Sequence, residues 1–211
     1  GVDEQYTNGT FLRFAPAVQS LRRHLATGRL GTLVSMRAVS AHDIDMYMHE
    51  PNRWQDDPLR GGGTIVTMGL HALEMMVALA GPHIQSVSCR ASRRVHRGSL
   101  SEDVAVAVFE WKDGLLGTAD ISCGGKAEYF AIELYGSEGA LKCSIPKADV
   151  QDLLGAAVGE ADALDEFGYT ATRREPVPIE ESAAIARALL AARASAAAGH
   201  LVSLQNAEGR A

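Results

Sequence analysis

Residues 102–122 read EDVAVAVFEWKDGLLGTADIS, and the fold turns on them. Val104, Val106 and Val108 alternate with Ala105, Ala107, Phe109 and Trp111, the two-residue period of a β-strand. Lys112-Asp113-Gly114 then supplies a turn, and a second run of strand type follows. Neither face of the first strand is polar. Such a strand belongs in a sheet that is covered on both sides.

Working outward, IQSVSCRASRRVH from Ile84, KAEYFAIELYGSEG from Lys126 and ALKCSIP from Ala140 have similar composition, separated by glycine-containing turn signals. Together they predict a meander of about five strands, mostly antiparallel. Upstream, LGTLVSMRAVSAH ending at His42 reads as one further strand. Residues 15–28 predict a helix, with Pro16 in its first turn, Val18, Leu21 and Leu25 at helical spacing, and Gly28 after its end. Residues 64–80 predict a second helix, residues 181–198 an Ala-rich third closed by Gly199, and LVSL a last short strand. Residues 147–180 carry no clear pattern. Helices and strands are segregated, so the expected fold is α+β: one domain over residues 1–211, built on an open, mostly antiparallel mixed sheet with helices on one face.

Composition narrows the function classes. Hydrophobic residues make up 46% and charged residues 22% of the 211, and no apolar run reaches the roughly 20 residues that cross a bilayer. The expectation is no membrane role. A formal net charge of −6 argues against nucleic acid as a partner, because phosphate binding rests on Lys and Arg. Cys89, Cys123 and Cys143 have neither even number nor C-x-x-C spacing, which suggests a reducing, cytoplasmic compartment. The chain opens on Gly1 with no secretory signal pattern, and an excised piece of something longer is expected.

Chemistry concentrates in GGGTIVTMGLH, residues 61–71. A helix from 64 to 80 places Val66, Leu70, Leu73 and Val77 on one stripe, while Ile65, Met68, Met75 and Met76 spread apolar surface around most of the rest. Only Thr67, His71 and Glu74 form a polar line. A buried polar group without a partner costs roughly 1–3 kcal/mol, so either the protein or a ligand must satisfy that line. His71 is then either a hydrogen-bonded core histidine or a ligand-facing group. Gly61, Gly62 and Gly63 make either a tight turn or a site where the free N–H groups of a helix start meet an anion or hydroxyl-rich ligand. They do not make a dinucleotide fingerprint, since Val66 stands where the third glycine belongs and no strand precedes them.

Three stretches in this order resemble the C-terminal domain of the Gfo/Idh/MocA family, the glucose–fructose oxidoreductase and inositol dehydrogenase group. They are Arg13, Phe14 and Pro16 leading through SLRRHLATGRLGTLVSMRA, then RWQDDPLRGGGTIVTMGLH, then EDVAVAVFEWKDGLLGTADIS with IELYGSEGAL; the terminal AARASAAAGHLVSL extends the likeness over nearly the whole chain. The resemblance implies a two-domain oxidoreductase whose N-terminal Rossmann half binds NAD or NADP and carries a catalytic lysine. That half is absent from these 211 residues. The half that is present would close the substrate site and build oligomers through the free face of its sheet. It also implies that His71 is the active-site histidine, taking the hydroxyl proton of an alcohol being oxidised. Thr67 falls where many members carry an aspartate, a departure, because a hydroxyl cannot act as a carboxylate base. Trp54 and the glycine triplet match the loop beside the substrate, where Trp54 either stacks on a sugar or anchors a long loop in the core.

The functional expectation is a substrate-binding and oligomerisation domain of an NAD(P)-dependent oxidoreductase acting on a sugar, cyclitol or related hydroxyl or carbonyl compound. The alternative is a non-catalytic binding or assembly module of the same fold, and the domain on its own is expected to be inactive. His42, Asp43, Asp45, His49 and Glu50 have no metal-ligand spacing, so no metal is expected. Arg90, Arg93, Arg94 and Arg97 read as a solvated strand edge that could attract an acidic sugar. With three helices available for only one face of the sheet, the other face predicts a homodimer at least.

Overall fold

A computed structural model describes residues 11–43, 54–126, 128–145, 149–152, 157–160 and 177–204. In chain order the elements are α1 (Pro16–Ala26), β1 (Leu33–Ala41), the short α2 (Thr64–Thr67), α3 (Gly69–Ala80), β2 (Ile84–Ser92), β3 (Val104–Trp111), β4 (Leu116–Ser122), β5 (Tyr129–Gly136), β6 (Ala140–Ile145), β7 (Asp149–Asp152), β8 (Ala157–Glu160), α4 (Ile179–Ala198) and β9 (Val202–Ser203). The strands form one open nine-stranded sheet in the order β8-β7-β6-β5-β1-β4-β3-β2-β9. Only β1 and β4 run parallel; every other pairing is antiparallel. This is the expected α+β fold with a mixed, mostly antiparallel sheet.

The single meander expected from the turn signals is split. β2, β3 and β4 follow one another across the sheet, as do β5 to β8, but β1 lies between β4 and β5, with Ala38 opposite both Ala119 and Ile132. The chain between β4 and β5, Cys123 to Glu128, is long enough for this. It must cross two strand spacings of about 4.8 Å each, which a two-residue turn does not reach. The unpatterned stretch 147–180 contributes β7 and β8; the rest of it up to residue 176 lies outside the described residues.

Ala105, Ala107, Phe109 and Trp111 are buried against the helices, as the alternation in β3 requires, together with Met36, Ala38, Ala119, Ile121, Ile132 and Leu134 of neighbouring strands. α3 packs on β1, β4 and β5, α4 on β2, and α1 on β6 and β7. On the opposite face Val106 and Val108 remain 48% and 37% exposed. Leu116, Tyr129 and Tyr135 are exposed on that face too, around an Arg37–Asp120 pair at 2.8 Å. The valines are apolar as read; β1 and β4 add the charge.

The helix expected over 64–80 is interrupted. α2 ends at Thr67 and α3 begins at Gly69. Tertiary contacts explain the break. The Ser40 hydroxyl on β1 donates to the Met68 carbonyl at 2.8 Å, and the His71 N–H turns to the same carbonyl at 3.1 Å instead of continuing the α-helical ladder. At the junction Gly69 is held so tightly between the sheet and α4 that a Cβ there would stand 3.0 Å from both Ile121 Cδ1 and Leu189 Cδ2.

Candidate functional site

The interruption sets the position of His71 in the first turn of α3, over the end of the sheet where β1 finishes and β5 starts. Its ring lies between Phe11 and Phe130, each 5.4 Å away centroid to centroid, tilted against the first and edge-on to the second. Nδ1 is buried and has no hydrogen-bond partner among the described residues. Burial, helped by repulsion from His42, pushes the His71 pKa down to about 4, so the ring is neutral at pH 7. His42 itself follows β1 and faces Glu128, Nδ1 to Oε1 3.5 Å, next to a Lys126–Asp43 pair at 2.9 Å.

The polar line expected along the helix separates into three fates. Thr67 donates its hydroxyl back to the Gly63 carbonyl at 3.0 Å, within its own turn. Glu74, fully buried, takes Arg13 Nε at 3.1 Å, and the Nη1 of the same guanidinium reaches Glu181 at 2.7 Å. The chain therefore answers Thr67 and Glu74 itself. His71 Nδ1 is left unanswered.

The start of α2 is also filled from within. Glu102 accepts the Ile65 N–H at 2.8 Å, while Val66 and Thr67 donate to the Gly63 carbonyl. The anion at this helix start is thus a carboxylate of the same chain. The conformations of the glycines serve a close turn: Gly61 and Gly63 have φ of 88° and 100°, and a Cβ on Gly62 would lie 2.0 Å from the Trp54 carbonyl oxygen. Trp54 itself is 47% exposed, so it does not anchor the loop in the core.

Sequence reading missed what does anchor it. Asp56, 1% exposed, accepts hydrogen bonds from Ser99 Oγ, the Leu100 N–H, and the N–H and Oγ of Ser101. Burial alone would raise its pKa, yet these donors outweigh burial and hold it below the usual carboxylate range. Asp103 does the same for the loop after β2, accepting the N–H groups of Arg94, Val95 and His96. The expected strand edge is corrected here: β2 ends at Ser92, and Arg93 to Arg97 wrap around this carboxylate. Asp56 and its partners stand more than forty residues apart, so no local spacing announces the bond. No cluster of three metal-ligating side chains occurs among the described residues. Asp45, His49 and Glu50 lie outside them.

A family model described as the GFO/IDH/MocA C-terminal domain matches residues 18–142, more than half of the chain. The chain belongs to the GFO/IDH/MocA family. The solved structures that superpose on it include proteins described as oxidoreductases and as dehydrogenases. An oxidoreductase domain protein from Kribbella flavida superposes with a TM-score of 0.70 at 18% identity, covering 92% of this chain and 64% of that one. An oxidoreductase from Agrobacterium radiobacter, solved with NAD+, L-tartaric acid and magnesium, gives 0.71 at 18%, covering 95% and 65%. A myo-inositol dehydrogenase from Corynebacterium glutamicum gives 0.67 at 17%, covering 91% and 62%. At these identities the likeness is one of fold, and the chain spans less than two thirds of the length of each. Comparison with curated protein sequences gives no match. Among the described residues no helix is long and apolar enough to cross a membrane.

Proposed function

We propose that this GFO/IDH/MocA domain is the substrate-binding and oligomerisation part of a cytoplasmic NAD(P)-dependent oxidoreductase acting on a sugar, cyclitol or related hydroxyl or carbonyl compound, with His71 as the group that exchanges a proton with the substrate oxygen. One observation carries this reading: Arg13 holds Glu74 on the same helix, whereas His71 keeps a buried Nδ1 without a partner among the described residues. A neutral imidazole accepts a hydroxyl proton, and its aromatic walls, Phe11 and Phe130, exclude water from that transfer. The glycine triplet shapes the loop beside the site, and exposed Trp54 offers a ring face for stacking on a sugar. The hydride acceptor is supplied by a nucleotide-binding half outside residues 1–211, in keeping with the shorter length of this chain beside its structural neighbours. The exposed sheet face around Val106 and Val108 is the homo-oligomer contact.

Thr67 favours a second reading, a non-catalytic module. Its hydroxyl is spent on Gly63, and it offers no carboxylate to stabilise a protonated His71. The deciding experiment uses the full-length protein with its nucleotide-binding half and a panel of polyols. Under the oxidoreductase reading His71→Ala lowers turnover by roughly 10²–10⁴ with the fold intact, the range for loss of a general acid–base group. Absence of turnover in the parent, or unchanged turnover in the variant, supports the module instead.

A further inference from the structure

At the other end of α3 from His71, twelve residues along the chain, a cavity of about 220 Å³ opens between His83, Lys112, Glu180, Ala184, Arg187 and Leu204. Lys112 follows β3, His83 precedes β2, and Glu180 and Arg187 stand two turns apart on α4, so three separate parts of the chain converge there. The walls are fixed by backbone bonds. The Lys112 N–H meets the His83 carbonyl at 2.9 Å, and the Leu204 N–H meets the Gln85 carbonyl at 2.7 Å. Buried Ile84 and Ala184 line the same space. None of the Lys112, Glu180 and Arg187 side chains forms an ion pair or hydrogen bond with a described residue.

In a chain with a formal net charge of −6, this cavity sets two cations against one carboxylate. Its sign is opposite to that of the molecule as a whole. Here the three charged side chains line one concavity floored by buried Ile84 and Ala184 and form no ion pair with one another, so their charges are available to a polar ligand. We propose that this cavity binds a small hydroxylated anion, with Lys112 and Arg187 on its carboxylate or phosphate oxygens and Glu180 accepting a hydrogen bond from a neighbouring hydroxyl. At about 30 Å³ per water the space holds roughly seven waters, which suits a short hydroxy acid or a phosphorylated triol. The site is separate from His71 and stands whatever reaction, if any, His71 supports.

The test is an amide NMR titration of the 211-residue chain at constant ionic strength with three probes: D-glycerate, glycerol 3-phosphate and inorganic phosphate. The expected result is saturable shifts at His83, Lys112, Ala184 and Leu204 with at least one of the two hydroxylated probes, and the probe that binds tells carboxylate from phosphate recognition. Lys112→Gln with Arg187→Gln should weaken that binding at least tenfold. Glu180→Gln should weaken the hydroxylated probe while leaving inorganic phosphate unaffected. All three side chains are exposed, so the variants keep the fold. Shifts that do not saturate, that persist in the double variant, or that chloride reproduces at equal concentration overturn the proposal, as does binding of inorganic phosphate alone.

Discussion

Replacing His71 by leucine gives the most direct measure of whether this side chain is held for a ligand or for the core. A core histidine contributes to stability. A group kept for a substrate costs stability while the site is empty, and an unanswered buried nitrogen costs roughly 1–3 kcal/mol. Leucine fills similar space between Phe11 and Phe130 without the polar atom. The variant is therefore expected to match or exceed the parent at pH 7. Acidification adds a second, quantitative signature. The pKa of His71 is about 4 in the folded chain and returns to 6.5 on unfolding, so between those values the unfolded state binds a proton that the folded state refuses. A depressed folded pKa means stability present above the unfolded value and lost as pH falls toward the folded one. Each pH unit inside this window is worth about 1.4 kcal/mol, and going from pH 7 to pH 5 should remove about 2 kcal/mol through His71 alone. The assay is urea unfolding of parent and His71→Leu at both pH values. The difference between the two proteins cancels the histidines that do not interact with His71, leaving His71 and its repulsion with His42, and Asp56 and Asp103, held below the usual carboxylate range, stay ionised throughout. Identical pH dependence in parent and variant, or a variant that loses more than about 1 kcal/mol at pH 7, refutes the reasoning and returns His71 to the core.

Other perturbations reach the remaining parts of the argument. Val106→Asp together with Val108→Lys, on the open sheet face, should convert an oligomer to a monomer of about 22 kDa by light scattering, whereas a parent that is already monomeric at micromolar concentration removes the sheet-face contact. Asp56→Asn should destabilise the chain by about 2–3 kcal/mol in chemical denaturation, because the buried loop donors lose a charged acceptor. Calorimetry with NADH and NADPH on residues 1–211 should show no binding, since Glu102 already fills the only glycine-preceded helix start read as a candidate; micromolar affinity would sink the assignment of the cofactor to another domain. Thr67→Asp in an active full-length protein should raise turnover on polyols if the threonine marks a weakened site, measured at pH 7 with His71 retained.

Much of the architecture was legible in local pattern. The alternation in β3, the Lys112-Asp113-Gly114 turn and the helix bounded by Pro16 and Gly28 each obey rules that operate within a few residues, and the strands and helix they predict form. The family resemblance was legible for the same reason, because its motifs are local strings in a fixed order. Position across the sheet was not. β1 sits between β4 and β5, and pairing Ala38 with Ala119 and Ile132 depends on how the chain closes over more than eighty residues. At the candidate site the residue types were visible, but their fates were decided at long range. Glu74 is answered by Arg13 from sixty-one positions away, and Met68 is turned out of its helix by Ser40. Periodicity records which side of an element is apolar. It carries no address for the partner that will satisfy a given polar atom, and that partner alone separates Glu74, a buried ion pair, from His71, an open nitrogen.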